Sequence, residues 1–264
     1  MSLQAAEGGR DGATVDEPLD DARVVVGIPA YNEENGIGST VLGVKRYADD
    51  VVVVDDGSTD RTPAILEQAD VTVLRHERNR GKGAAVRTLF AHAQRTDCDA
   101  LVVLDGDGQH DPTDVPRLAG PVVDEEADVV VGSRYLDGGE DDETPLHRRL
   151  GQLLLDFATA RVTGSELTDT QSGYRALSPD ALDAISITTD GMGVESEMLD
   201  AATSEGLTVT ERPIDARYDE LDGQTHNPIR HGLAVLAFLG RLASRRGSSS
   251  ESTGDARSRP SRER

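Results

Sequence analysis

The chain has 264 residues, with 49 aspartates and glutamates against 27 lysines and arginines, for a formal net charge of -22. That length accommodates one large domain or two small ones, and such acidity argues against general nucleic-acid binding. Cys98 is the single cysteine, so there is no internal disulfide and no cysteine metal site, which suits a reducing cytosol.

In chain order, residues 1–22 are rich in Gly and Asp, have little to bury, and are expected to be disordered. They show no signal-peptide pattern. Val24–Ile28 reads as a strand and Glu34–Tyr47 as a helix. Val51–Val54 is a second strand, followed by a helix over Pro63–Ala69 with Thr62 as N-cap and Pro63 at its first position. Val71–Leu74 and Ala100–Leu104 read as strands, and Gly83–Gln94 as the helix between them. Pro112–Val123 is a helix capped by Asp111, and Val129–Val131 a fifth strand. This alternation predicts an α/β fold with a doubly wound, mostly parallel sheet and flanking helices.

After Gly132 the pattern changes. Asp137–Glu143 is an acidic loop. Thr144 and Pro145 open a helix with Leu146, Leu150, Leu153, Leu154 and Phe157 on one stripe. Gly164–Gly173 is a polar turn region, and Pro179–Ile185 and Val194–Ser204 are helices. Leu207–Thr210 and Ile214–Tyr218 are short strands flanking Pro213, a small late β element. Ile229–Ala243 is a last helix, and beyond Gly247 the Ser/Arg/Gly tail is expected to be disordered. The expected division is therefore a disordered start over 1–22, a catalytic domain over 23–227, an amphipathic helix over 228–246 and a tail over 247–264. No stretch approaches the ~20 apolar residues of a membrane-spanning helix. Arg230, His231, Arg241, Arg245 and Arg246 flank an apolar middle, however, and could bring the helix against anionic lipid.

The most informative strings are VVVVDDGSTD (51–60) and LVVLDGDGQHDP (101–112). Each is an apolar run, as in a buried parallel strand, that ends in carboxylates where open α/β sheets bind ligands. Asp105, Asp107 and Gln109 place hard oxygen ligands at alternate positions, the chemistry wanted by Mg²⁺ or Mn²⁺ holding a diphosphate. If the extended geometry continues past the strand, Asp105 and Asp107 share a side. Gly106 and Gly108 would let the diphosphate approach the backbone. One of Asp55 and Asp56 is expected to accept hydrogen bonds from base or ribose while the other caps a turn. Arg134 carries the planar guanidinium suited to phosphate recognition. His147, Arg148 and Arg149 are cations at the amino end of a helix, where an anionic ligand would relieve a conflict with the helix dipole.

Read together, IPAYNEE (28–34), VVDDGSTD (53–60), NRGKGAA (79–85), DGDGQHDP (105–112), GSRY (132–135) and DTQSGYRA (169–176) resemble family 2 glycosyltransferases of GT-A fold. Among these the chain resembles the dolichyl- and polyprenyl-phosphate mannosyl- and glucosyltransferases. The resemblance implies Pro29, Tyr31 and Glu33 as nucleotide contacts, with Lys82 near the donor. It places Asp105 near ribose and metal, Asp107 and Gln109 as the chief metal ligands, and Arg148 and Arg149 at the acceptor phosphate. Asp169 would position the acceptor or act as base. Glu195 and Glu197 resemble a later acidic element, and one of them is expected to face solvent. His110 is expected to orient its loop.

The implied reaction is inverting, metal-dependent hexose transfer from a nucleoside-diphosphate sugar to a polyprenyl phosphate. A family 2 transfer onto a hydroxyl is the alternative, and a non-catalytic nucleotide-sugar-binding subunit is a lesser one. Relatives with a mannosyl donor carry a form like R-x-x-G-x-S-K after the late strand. Here the stretch is YDELDGQTHNP (218–228), with His226 near the expected lysine, so UDP-glucose or another UDP-hexose stands beside GDP-mannose as donor.

Only Lys45 and Lys82 are lysines; every other basic residue except histidine is arginine. This aspartate-rich, lysine-poor composition resembles proteins of salt-loving archaea. In molar salt the Debye length is about 3 Å and self-repulsion is largely screened. The fold should therefore loosen at low salt. Thermal melts that do not change between low and molar salt would contradict this.

Overall fold

The structure, a computed structural model, describes residues 19, 22–136 and 167–215. The described residues form one seven-stranded sheet of order β3-β2-β1-β4-β6-β5-β7. Its strands are β1 (Val24–Ala30), β2 (Asp50–Asp55), β3 (Thr72–Arg75), β4 (Ala100–Val103), β5 (Val129–Ser133), β6 (Arg175–Leu177) and β7 (Val209–Pro213). Every pairing is parallel except those of β6, which runs antiparallel to both β4 and β5. The helices are α1 (Ile37–Val44), α2 (Thr62–Leu66), α3 (Lys82–Ala93), α4 (Val115–Val123), α5 (Pro179–Ala184) and α6 (Val194–Glu205), with a 3₁₀ turn at Pro112–Asp114.

The apolar runs behave as the period-2 rule demands. In β2, Val51 and Val53 enter the core under α1 and α4, while Val52 and Val54 enter the core under α3, α5 and α6. Val24, Val26 and Ile28 of β1 join the first core, and Val25 the second. Both faces are covered, which is why the strands read as continuous valine runs rather than as alternating ones. Leu19 packs against the first core. The rest of the expected disordered start and the segments beyond residue 215, including the expected terminal helix and tail, lie outside the described residues. Among the described residues, no helix is long and apolar enough to cross a membrane.

Four local expectations change. The helix expected over 34–47 is shorter, 37–44, because Glu33 and Glu34 are drawn into loop contacts described below. Thr62 is not a helix cap: Arg61 holds that position, and the Thr62 hydroxyl accepts from Glu33 N instead, at 2.8 Å. β6 was not expected at all. Pro213 does not divide two strands but closes β7, opposite Ser133. β7 pairs only with β5, and a proline at the end of such an edge strand forfeits no ladder bond. Asp111 does cap its turn, accepting from Thr113 N at 2.9 Å.

The end of β7 is tied to α4 through a buried carboxylate. Asp114 accepts from Arg117 Nη1 at 2.5 Å and from Asp215 N at 3.0 Å, and Arg117 also donates to Pro213 O. Burial pushes the Asp114 carboxyl up to about 6, against the lowering by the Asp215 amide and Arg117, with Asp215 and Asp111 adding repulsion. In an unfolded chain the value is about 4. The folded state therefore binds the extra proton, and the stability this confers is present at low pH and lost as pH rises from about 4 through 6. Wild type should melt higher at pH 5 than at pH 7, and Asp114→Asn should flatten that part of the profile. Identical pH slopes for the two proteins would contradict it.

Candidate active site

The strand order reverses direction between β1 and β4, with β2 and β3 on one side and β6 on the other. The crevice beyond the carboxyl ends of such strands is where open α/β sheets bind ligands. Pro29–Glu33 leaves β1 there and Asp105–Gln109 leaves β4. Pro29 lies within β1, not in the turn after it: it is buried opposite Val54, beyond the last rung with β4, which pairs only as far as Gly27. Tyr31 and Glu33 are half-buried at the rim.

The loop after β1 is clamped to the loop after β2 by reciprocal hydrogen bonds. Asn32 N donates to Ser58 Oγ at 2.9 Å, Glu33 N to Thr62 Oγ1, and Glu34 N to Asp60 Oδ2 at 3.1 Å. In return Thr59 N donates to Asn32 Oδ1 at 2.8 Å and Arg61 N to Glu34 Oε2 at 3.1 Å. Asn32 adopts a φ of 57°, a region asparagine tolerates. Gly57, at φ 72°, lets the backbone of Arg78 and Asn79 pass against it.

Asp55 and Asp56 are both buried and both occupied by protein groups. Asp55 Oδ1 accepts from Ser58 N at 2.9 Å, and Oδ2 lies 3.1 Å from Arg75 Nε, its register partner on β3. Asp56 accepts from Arg80 N and Gly81 N and meets His76 Nδ1 at 2.5 Å. Asp55 thus shapes its own turn, and Asp56 fixes the entry to α3.

After Val103 the chain does not stay extended; it turns at Gly106–Asp107. The Cβ position of Gly106 faces Ile37, Ile28 and Ala30, so this glycine serves packing beneath the loop. Asp107 Oδ1 accepts from Gln109 N at 3.0 Å. Asp105 Oδ1 lies 2.6 Å from Lys82 Nζ, which is also 2.8 Å from Glu195 Oε1. His110 Nε2 is 3.9 Å from Asp105 Oδ2, and the His110 ring tilts against Tyr174 with centroids 4.9 Å apart.

Lys82 is therefore no surface lysine; its side chain is 16% exposed. Burial alone would lower its ammonium, but Asp105 and Glu195 outweigh that and hold it above the usual range. Burial would raise Asp105, and Lys82 and His110 overcome this to hold it well below the carboxylate range. Asp107 goes the other way, pushed up by burial and then by Asp105. Glu33 is pushed up to about 8 by burial, Asp107, Asp105 and Asp60.

Around this centre the chain builds supports that the sequence did not announce. Arg175 is fully buried and gives its guanidinium to three carbonyls: Ser172 at 2.9 Å, Glu195 at 2.8 Å and Thr170 at 2.7 Å. Burial lowers its pKa to about 10. It ties the 170–173 turn to the start of α6. At that turn a Cβ on Gly173 would stand 2.6 Å from Asp105 Oδ2.

Glu195 and Glu197 are both buried, so neither faces solvent. Glu197 accepts from Thr188 N and Thr189 N, each at 2.9 Å. Arg87 donates to Thr189 O and pairs with Asp190. The segment so held lies on α3: Gly83 N donates to Asp190 O at 3.0 Å. A Cβ on Gly81 would be 2.1 Å from Asp190 O, and one on Gly83 2.2 Å from Thr189 O. These glycines admit a protein strap over residues 189–190 against the start of α3.

Arg134 forms a fork with Asp169, Nε to Oδ2 at 2.7 Å and Nη2 to Oδ1 at 2.9 Å. Asp169 is fully buried and its amide donates to Glu211 Oε1. His147, Arg148, Arg149 and His226 lie outside the described residues.

The chain belongs to glycosyl transferase family 2, whose model matches residues 25–186. It is a glycosyltransferase of the hexosyltransferase kind, with a GT-A fold. It is 34% identical, over 73% of its length and 85% of the relative's, to a UDP-N-acetylglucosamine–dolichyl-phosphate N-acetylglucosaminyltransferase of Methanococcus voltae. It is 32% identical, over 82% of its length and 91% of the relative's, to a dolichyl-phosphate hexose transferase of Haloferax volcanii. Among solved structures it is similar to glucosyl-3-phosphoglycerate synthase of Mycobacterium tuberculosis in complex with Mn²⁺, UDP-glucose and phosphoglyceric acid. The TM-score is 0.68 at 25% identity, covering 89% of this chain and 86% of that one.

Proposed function

We propose that the chain transfers a hexose from a UDP-sugar to a polyprenyl phosphate, with inversion at the anomeric carbon and with the help of Mg²⁺ or Mn²⁺. The observation that carries this reading is a crevice short of positive charge. Asp105, Asp107, Glu33 and Glu195 converge there against Lys82, and two of these carboxyls, Asp107 and Glu33, are driven up by burial and then by their acidic neighbours. Among the described residues no cluster of three His, Cys, Asp or Glu side chains is gathered to hold a metal. A cation here would be bound by one or two carboxylates and completed by substrate phosphates. Asp107, Asp105 and Gln109 would hold it, and when bound it would stabilise charge on the leaving diphosphate.

The chain's own residues do the rest. Tyr31, Glu33 and the Asp55–Asp56 loop frame the nucleotide, with the Gly106 backbone beneath it. Arg134, fixed by its fork with Asp169, presents a planar cation to phosphate oxygens. A lipid phosphate is anionic at neutral pH and needs orientation more than deprotonation. This agrees with Asp169, whose two oxygens are taken up by Arg134 and which is poorly placed to act as a base. Arg148 and Arg149 are proposed to meet the acceptor phosphate, and His226 to lie on the donor side. Relatives named as dolichyl-phosphate transferases support the acceptor.

The test is a transfer screen in molar KCl with UDP- and GDP-sugars, Mg²⁺ or Mn²⁺, with and without polyprenyl phosphate. The expected product is a hexosyl phospholipid formed from a UDP-hexose and lost in EDTA. Transfer to hydroxyl acceptors alone, or full activity in EDTA, would overturn the proposal. Flotation with anionic liposomes, with and without residues 228–264, tests peripheral membrane contact.

A further inference from the structure

Asp105 is already engaged. One oxygen meets the Lys82 ammonium at 2.6 Å, and the other faces His110 Nε2 at 3.9 Å and the Gly173 backbone. Lys82 is anchored from the far side by Glu195 at 2.8 Å, whose second oxygen is buried without a hydrogen-bond partner among the described residues. Asp107 spends Oδ1 on Gln109 N. A divalent cation arriving alone would find one carboxylate partly free and the other held by a cation. Displacing a buried ammonium from two carboxylates is costly, because it leaves charge uncompensated in a poorly solvated place. A nucleoside diphosphate changes both sides of that balance: it brings its own oxygen ligands for the metal and a second anion for the ammonium.

We propose that Lys82 is a guard for the cation site: its ammonium occupies Asp105 in the free protein, so that a divalent metal binds only together with the nucleotide. The inference rests on the reading of residues 105–109 as a cation site, and concerns the order and coupling of binding there. Metal and nucleotide then raise each other's affinity reciprocally. The arrangement also explains why lysine stands here in a chain that otherwise uses arginine almost throughout. A compact ammonium on a flexible stem can swing from carboxylate to phosphate, whereas a planar fork held on two acids is harder to release.

The test is Mn²⁺ binding to the full chain in molar KCl, read from the electron-spin resonance of free Mn²⁺, with and without UDP. Wild type should bind Mn²⁺ alone at least tenfold more weakly than in the presence of UDP. Lys82→Met should bind Mn²⁺ alone at least tenfold more tightly than wild type, and Lys82→Arg should bind it alone no more tightly than wild type and gain less from UDP. If Lys82→Met does not fold, the double variant Lys82→Met/Glu195→Gln removes the buried pair together and takes the same readout. The guard is overturned if the neutral variant binds Mn²⁺ no more tightly than wild type, or if wild type binds it equally well without UDP. In either case UDP-sugar turnover that still needs Mn²⁺ would leave the proposed function standing. Absence of Mn²⁺ binding by every protein, with or without UDP, would overturn both.

Discussion

Asp107→Ala is expected to lower the rate of sugar transfer by at least about a thousandfold, roughly 4 kcal/mol of transition-state stabilisation, without unfolding the protein. Among the described residues the Asp107 carboxylate accepts one hydrogen bond, from the amide of Gln109 two residues on. It sits in a field that disfavours its charge, pushed up by burial and by Asp105. Removing it takes away little packing and some repulsion, so the melting temperature should hold or rise slightly. A functional carboxylate kept where the fold gains nothing from it is the pattern expected of a ligand. The check is a transfer assay paired with a thermal melt. Near-wild-type turnover would contradict the role given to Asp107, and collapse of the melt would show that the carboxylate is structural.

Gly36→Ala is expected to damage the same loop from outside it. Gly36 precedes α1 with φ -107° and ψ -35°, which any residue can adopt, so the effect is purely steric. A Cβ there would lie 2.2 Å from the carbonyl carbon of Asp107, 2.3 Å from its oxygen and 2.8 Å from its Cα. Those are backbone atoms, and relief requires moving the 105–109 turn itself. A displacement near 1 Å at such a centre can cost about a hundredfold in rate. We expect a loss of that order in kcat/KM for the donor, together with a lower melting temperature, although no titratable or ligating group has changed. Gly120→Ala is the control: nothing lies within 4 Å of its Cβ position, and alanine inside α4 should be neutral or stabilising by up to about 1 kcal/mol. Equal activity of the two variants would contradict the packing of Gly36 on the catalytic turn.

The framework was legible because it is written in local patterns. Valine runs buried on both faces announce parallel strands, and carboxylates at their ends announce the rim of the crevice. What escaped was whatever depends on distant partners. β6 is three residues long and begins with an arginine, so no periodicity marks it, yet it supplies two ladders and carries Arg175. Thr62 has the residue type and spacing of a helix cap, but a loop 29 residues away takes its hydroxyl. Gly81 and Gly83 signal close approach by something without saying what, and the 189–191 backbone that packs on them lies more than a hundred residues on. The Arg134–Asp169 fork joins groups 35 residues apart, and the burial of Lys82 follows from Glu195, more than a hundred residues away. The one available hint to the supports was compositional: a lysine kept where arginine is the rule.

The most direct test of a cation held by the loop after β4 against a sugar donor's diphosphate is a crystal grown with Mn²⁺ and a UDP-hexose. Data collected near the manganese absorption edge should show an anomalous peak within coordination distance of Asp107, with the diphosphate on its other side. A bound nucleotide with no anomalous peak beside Asp105, Asp107 or Gln109 would contradict it.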